Sequence, residues 1–246
     1  MAVRLVIAIM TASTALAAAA PHAHKAASTH ATSRFTTPSD ADASPAVRYG
    51  ALSPDECTAE LTQRKIAFSA ETARGVAAPV RLLGTLRGVA FHTDLGEAAR
   101  ATSPWEIGDC RLVLALDDFA EILARHDIVE VIHYSMYRVP PKSWAADKIG
   151  GQHNGGLALD AAKFVKSDGT TLSVLDDFHG AIGAATCGKD AAPHPVTAKA
   201  TELRSILCEA VDDHLFNVVL TPDYNRPHRN HFHLEVTAGV RWFLVH

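Results

Sequence analysis

The 246-residue chain has few cysteines, no excess of basic charge and, beyond its first 20 residues, no long hydrophobic run. A transmembrane helix needs about 20 consecutive apolar residues, so the rest of the chain contains no candidate for one. The formal charge is −4 with the two signs interspersed, which leaves no basic stripe to follow a phosphate backbone. These absences argue against a membrane span and against nucleic acid as a partner.

The first 20 residues have the pattern of a secretory signal peptide. Arg4 precedes an apolar run from Leu5 to Met10, and an alanine-rich stretch follows. No cysteine lies near the end of this segment, so a lipid anchor is not indicated. The mature protein is therefore expected to be exported, to the periplasm or the extracellular space.

Residues 21–47 contain mainly Ala, Ser, Thr, Pro and His. Large apolar side chains are too few there to offset the entropy lost when a backbone becomes ordered. We predict a disordered linker over 21–47. Residues 48–246 are enough to bury the core of one domain.

The cysteines are Cys57, Cys110, Cys187 and Cys208. No two of them are close in sequence, which disfavours a zinc site built from cysteines. In an oxidising compartment an even number favours disulfides. Spacing alone leaves three pairings open, and we favour Cys57 with Cys110 and Cys187 with Cys208, because each pair closes a loop within one half of the chain.

Helix and strand patterns alternate without a clean parallel order, which predicts an α+β fold with a mainly antiparallel sheet flanked by helices. Ser53, Pro54 and Glu56 form a helix-start signal. Helices are predicted over about 54–65, 117–125, 172–185 and 197–215. Strands are predicted over 79–83, 89–92, 110–116, 129–135, 157–165, 218–220 and 231–236, with a loop at 139–152.

Two distant segments carry the chemistry, one from His153 to Asp160 and one from His228 to His233. Two adjacent glycines between His153 and Asp160 work against a helix, so a loop entering a strand is predicted. In the terminal strand, period-two alternation places His231, His233 and Glu235 on one face and apolar residues on the other.

Two imidazoles and a carboxylate suit zinc, which in catalytic sites keeps three protein ligands and one open position. If the polar face of the terminal strand meets Asp160, then His153, Asp160 and His233 converge on one ion. The alternative is a hydrogen-bonded network in the core. Zinc is the first choice for these ligand types, with manganese or cobalt as alternatives.

The pattern His-x-x-Gly-x-Ala-x-Asp with a late His-x-His resembles a zinc peptidase clan. This clan includes D-Ala-D-Ala carboxypeptidases, penicillin-insensitive murein endopeptidases and the hedgehog signalling domain. Within it the chain is most similar to the bacterial extensin-like C-terminal domain family, over about Ser53 to Val236. The matching features are Cys57 after an export signal and the segments 134–138, 153–160 and 223–233.

The resemblance implies a hedgehog/DD-peptidase-like zinc peptidase fold. Three residues would hold Zn²⁺: His153, Asp160 and His233. His231 matches a histidine that contacts substrate or stabilises the tetrahedral intermediate, and His228 stands where the murein endopeptidases carry a further histidine. Arg138 matches an arginine that could polarise the scissile carbonyl and offset the oxyanion.

One departure from the clan bears on mechanism. Many members carry an acid three residues before the last histidine ligand as general base, and here that position is Asn230. An amide cannot accept a proton from water, so the base would be His231 or His228, with Glu235 as a third candidate.

The sequence therefore predicts a secreted zinc metallopeptidase, an endopeptidase or carboxypeptidase, that hydrolyses amide bonds in cell-wall (peptidoglycan) peptides through a zinc-activated water. The rival interpretation is a non-catalytic zinc-containing module that binds the cell envelope, which Asn230 favours. A third is a structural envelope domain held by disulfides without metal.

Overall fold

The computed structural model describes residues 35–246, which contain eleven strands and six α-helices. The strands are β1 (Phe35–Thr36), β2 (Phe68–Ala70), β3 (Pro79–Leu82), β4 (Ala90–Thr93), β5 (Ile107–Asp109), β6 (Ile128–His133), β7 (Ala158–Lys166), β8 (Thr171–Ser173), β9 (Val218–Leu220), β10 (Phe232–Glu235) and β11 (Phe243–Val245). The helices are α1 (Pro45–Gly50), α2 (Pro54–Gln63), α3 (Glu97–Arg100), α4 (Cys110–Arg125), α5 (Val174–Asp177) and α6 (Ala198–Asp212). The predicted signal peptide lies outside the described residues.

Two sheets organise this part of the chain. The larger has the order β1-β11-β9-β10-β7-β6-β4, with β8 also paired to β7, and the smaller has the order β2-β3-β5. Pairing is parallel between β9 and β11 and between β4 and β6, and antiparallel between the other neighbours. The predicted combination of helices with a mainly antiparallel sheet is confirmed. No helix in residues 35–246 has the length and apolar character needed to cross a bilayer.

Helix α4 corrects one prediction. Residues 110–116 were expected to form a strand, with a helix beginning at residue 117, but a single helix runs from Cys110 to Arg125. The Asp109 carboxylate accepts a hydrogen bond from the backbone N–H of Arg111 at 3.1 Å and caps the helix. Eleven of its sixteen residues are buried, and residues 110–116 are apolar except for Arg111, a short run that a buried strand shares.

The segment after β7 corrects a second prediction. Instead of a helix over 172–185, strand β8 is followed by the one-turn helix α5 and then by irregular backbone. The buried Asp223 holds this irregular segment, since its Oδ1 accepts from the N–H of Ala181 and its carbonyl from the N–H of Gly183, both at 2.7 Å. Backbone amides that bond to a distant loop cannot continue a helical ladder.

Part of the predicted linker is structured. Residues 21–34 lie outside the described range, but from Phe35 onwards the chain is structured, with β1 paired to β11. Ala41 and Ala46 are buried against Phe243, which explains how a segment of small side chains can still pack.

The other predicted helices and strands are present, with ends shifted by at most three residues. Helix α2 begins with the capping box predicted from Ser53 and Glu56. Both favoured disulfides form: Cys57 with Cys110, and Cys187 with Cys208. The first joins α2 to the start of α4, and the second joins the irregular segment after α5 to α6.

Candidate metal centre

A tight turn positions the imidazole of His153 in the site. Residues Gln152–Gly155 form a 3-10 turn that ends at Gly156 in the left-handed conformation, φ 64°. A Cβ on Gly155 would lie 2.4 Å from the carbonyl oxygen of Gly150, so this position admits only glycine. The turn leaves His153 buried and leads into β7, which carries Asp160.

Strand β10 supplies the second half of the site. His233 lies directly opposite Asp160 in the antiparallel ladder between β10 and β7. Phe232 and Leu234 point into the core on the other face. The predicted alternation and the predicted meeting of the polar face with Asp160 are therefore both found.

The two imidazoles and the carboxylate come together around one oxygen. His153 Nε2 lies 3.0 Å and His233 Nδ1 3.1 Å from Asp160 Oδ1. The three candidate donor atoms all lie within 4.8 Å of one another. Tetrahedral zinc with bonds of about 2.0–2.1 Å separates neighbouring ligand atoms by about 3.3 Å, so the two nitrogen–oxygen distances are close to those that the ion requires.

The outer nitrogens of both rings have hydrogen-bond acceptors. His153 Nδ1 is 3.1 Å from the carbonyl oxygen of Met136, and His233 Nε2 is 3.2 Å from Glu235 Oε2. A neutral imidazole carries one proton, and these acceptors favour having it on the outer nitrogen. The lone pair of each inner nitrogen then faces Asp160, the arrangement that a metal-binding histidine requires.

His231 joins the same cluster. Its Nε2 is 3.3 Å from Asp160 Oδ1, while its Nδ1 is 2.9 Å from Asn230 Oδ1. The Asn230 amide is oriented by its own NH₂ group, which donates to Tyr134 Oη at 2.9 Å. Asn230 is thus an acceptor that favours the proton on Nδ1 of His231 and leaves the Nε2 lone pair facing inward.

Arg138 is the counter-charge of the carboxylate. Its Nη2 forms an ion pair with Asp160 Oδ2, the oxygen that does not face the imidazoles. Its Nε donates to Ser135 Oγ at 2.9 Å, and its side chain is 52% exposed. The guanidinium is therefore anchored and still accessible from solvent.

His228 lies at the edge of the cluster. Its ring centroid is 5.2 Å from that of His231 and 5.9 Å from that of His233, and its Nδ1 is 2.7 Å from Asn225 Oδ1. Burial, together with the neighbouring imidazoles, lowers the pKa of His228 to about 4. It is therefore neutral at pH 7 and too weak a base to compete with an ordinary imidazole.

The electrostatics of the cluster are dominated by Asp160. Burial would raise the pKa of this carboxyl, but the imidazoles of His153, His231 and His233 together lower it far below its usual range. Burial would likewise lower the pKa of His233, but Asp160 and Glu235 raise it to about 9. A proton on His233 therefore supplies the positive charge that the anionic cluster needs when no metal is bound.

The sequence reasoning brought together six residues that do meet: His153, Asp160, His233, His231, His228 and Arg138. It did not predict that Tyr134 and Asn230 orient His231, since the hydrogen bond between them joins residues 96 positions apart. It also missed the buried His133, whose Nε2 is 3.7 Å from Glu106 Oε2. Neither ring nitrogen of His133 has a hydrogen-bond partner among residues 35–246.

A family model described as "Extensin-like protein C-terminus" matches residues 55–244, which is more than three quarters of the chain. Comparison with curated proteins and with solved structures found no match. The matched range begins within α2 and ends within β11, so it contains the whole candidate metal centre.

Proposed function

The chain belongs to the extensin-like protein C-terminus family, and from this premise and the geometry of the site we propose that it is an exported zinc metallopeptidase acting on cell-wall peptides. His153, Asp160 and His233 would hold the zinc ion. The amide bond would be cut by water, giving a carboxylate and an amine.

One observation carries the proposal. Three imidazole nitrogens lie 3.0–3.3 Å from a single carboxylate oxygen, and each ring has an acceptor for a proton on its other nitrogen. Lone pairs and an anion that face one another repel unless a cation lies among them. A divalent ion held by His153, Asp160 and His233 would offset this repulsion, whereas a core hydrogen-bond network would need extra protons on the inner nitrogens.

When bound, zinc would polarise the scissile carbonyl and lower the pKa of the attacking water. His231 Nε2 would accept the proton of that water and return it to the amine nitrogen as the C–N bond breaks. Asn230 and Tyr134 would keep His231 in the tautomer that this transfer requires. The absent acid at position 230 is thereby replaced by an imidazole base held in place by an amide.

Arg138 would stabilise the charge that develops on the carbonyl oxygen, because its guanidinium lies beside Asp160 and remains half exposed. Such a donor acts on the transition state more than on bound substrate, so its loss should lower kcat. His228, neutral at pH 7, would line the site as a hydrogen-bonding group instead of acting as a base.

Metal analysis and peptide release together test the proposal. The purified protein should contain one zinc ion, and His233→Ala should lose it. His231→Ala should keep the zinc but lose the release of peptides from cell-wall preparations. His126→Gln, which changes the histidine at the C-terminal end of α4 that pairs with Glu209, serves as the matched control. Zinc-loaded protein that releases nothing from any wall preparation would refute the enzymatic proposal.

The second candidate is a non-catalytic zinc module that binds the cell envelope. Asn230 favours it, since the position that carries a carboxylate in many members of the peptidase clan that the chain resembles here carries an amide without acid–base capacity. On this alternative the protein holds zinc and sediments with wall material, and His231→Ala changes neither property. Absence of zinc would exclude both candidates and leave a structural domain held by its disulfides.

A further inference from the structure

A groove of about 350 Å³ opens beside the histidine cluster, between α5 and the loop that precedes β10. Its apolar lining includes Leu175 and Ile182, which are 56% and 67% exposed. Its polar lining includes Arg226 and Arg229. No carboxylate lines this groove in the part of the chain that the structure describes. It therefore combines aliphatic surface with positive charge.

The groove adjoins the candidate metal centre through two residues. Asn225 lines the groove, and its Oδ1 is 2.7 Å from His228 Nδ1. The ring of His228 in turn contacts the ring of His231, with centroids 5.2 Å apart. An extended ligand that reaches the cluster can thus continue into the groove.

Among the described residues, no carboxylate neutralises the positive charges of Arg226 and Arg229. Other arginines of the fold, such as Arg64 and Arg111, are bound to carboxylates. Within residues 35–246 neither Arg226 nor Arg229 has a carboxylate within 4.0 Å, and Arg229 donates only to the carbonyl oxygen of Arg226, at 3.3 Å. Guanidinium groups of this kind bind carboxylates through charge-assisted hydrogen bonds.

The wall that carries Ile182 is fixed before any ligand arrives. The N–H groups of Ala181 and Gly183, on either side of it, both donate to Asp223. The disulfide from Cys187 to Cys208 ties the same segment to α6. A preformed groove loses little entropy on binding, which favours recognition of a small ligand segment.

We infer that this groove is a substrate subsite that binds a peptide residue with a free carboxylate next to an aliphatic side chain. The inference rests on the proposed function, because it assigns the groove to the peptide whose amide lies at the metal centre. A cavity of this volume accommodates a short peptide segment, and its mixture of aliphatic and cationic lining suits a peptide better than a neutral glycan.

Binding to the full-length, metal-free protein tests the subsite without requiring hydrolysis. The probes are two peptides, acetyl-Ala-Glu-Leu-amide and acetyl-Ala-Gln-Leu-amide, which differ in one carboxylate. We expect the glutamate peptide to bind about five to ten times more tightly in calorimetry or ligand-observed NMR. Arg226→Gln combined with Arg229→Gln should abolish this preference. Arg125→Gln combined with Arg241→Gln, which removes two exposed arginines elsewhere, should preserve it.

These outcomes distinguish a failure of the subsite inference from a failure of the proposed peptidase activity. A glutamate preference that depends on the two groove arginines upholds the subsite, even if no wall peptide is ever cleaved. Equal binding of the two peptides, or a preference that survives in the groove variant with an unchanged melting temperature, overturns it. If inorganic phosphate at equal concentration displaces the glutamate peptide completely, the groove is a general anion site and the peptide assignment is overturned.

Discussion

Zinc and protons should compete for His233, and this competition can be measured. The pKa of His233 is about 9, because hydrogen bonds and charge from Asp160 and Glu235 outweigh the effect of burial. At pH 7 the ring is therefore almost fully protonated in the metal-free protein, and zinc must displace that proton to reach the inner nitrogen. The apparent zinc affinity at pH 7 should be about 100-fold below its value above pH 9.

The expected affinity rises about tenfold per pH unit between pH 7 and pH 9 and then levels off. Calorimetric titration in buffers of different ionisation enthalpy should count about one proton released per zinc bound at pH 7. Glu235→Gln removes the carboxylate beside His233 Nε2, which helps to raise its pKa, so the rise should level off at a lower pH and the affinity above pH 9 should be about 10- to 100-fold lower. Glu97→Gln, exposed on α3, is the control.

The same pKa shift has a consequence for the stability of the metal-free protein. A histidine whose folded-state pKa is raised stabilises the fold below its unfolded pKa of about 6.5, and this contribution is lost as pH rises through about 9. Each pKa unit corresponds to about 1.4 kcal/mol, so His233 accounts for about 3 kcal/mol. The melting temperature of metal-free protein should fall between pH 6.5 and pH 9. A zinc affinity and a melting temperature that both stay constant across this range would refute the reasoning.

Three further predictions address other parts of the molecule. Replacing Cys57 and Cys110 with alanine opens a 53-residue loop and should cost about 4 kcal/mol of unfolding free energy in urea titrations; a loss below 1 kcal/mol would contradict the role given to this link. Burial, with a smaller effect of a neighbouring imidazole, lowers the pKa of His133 to about 3, so the fold loses stability as pH falls below 6.5. Between pH 7 and pH 4.5, wild type should therefore lose about 3 kcal/mol of unfolding free energy relative to His133→Leu. An unchanged difference between the two proteins would show that this ring does not stay neutral. On the proposed mechanism, Asn230→Asp places a carboxylate beside Nδ1 of His231 and should raise kcat for wall-peptide release about tenfold, whereas unchanged zinc content with unchanged or lower kcat would argue against His231 as the base.

Much of the candidate site could be predicted from the sequence, because the signals there are local. The alternation of polar and apolar residues in β10 identifies His231 and His233 as neighbours on one face. The adjacent glycines before β7 predict the loop that delivers His153, although they do not say which turn it forms. The pairing of His233 with Asp160 needed a further step, the assumption that the two strands are adjacent in the sheet.

The contacts that orient the site could not be predicted, since they join residues with no sequence signal between them. Nothing in the local sequence marks Tyr134 as part of the site, yet its hydroxyl accepts a hydrogen bond from Asn230. The errors in the predicted secondary structure have a similar origin. Residues 110–116 of α4 are apolar except for Arg111, and so short a run also fits a buried strand, while the segment after α5 follows hydrogen bonds to Asp223 instead of its own helix propensity.

The arrangement of the histidines is fixed from three directions, which argues that the cluster is more than a buried polar network. The acceptors of the outer nitrogens come from the segment after β6, from β10 itself and from the loop before it: Met136, Glu235 and Asn230. Each contact favours a proton on the outer nitrogen, so together they direct three lone pairs toward one carboxylate oxygen. Without a cation this geometry carries an electrostatic cost, which a proton on His233 offsets only in part, because that proton serves one of the three inner nitrogens. A single divalent ion among the candidate ligands would offset this cost, and the tenfold-per-unit pH dependence of zinc affinity would reveal how completely it replaces that proton.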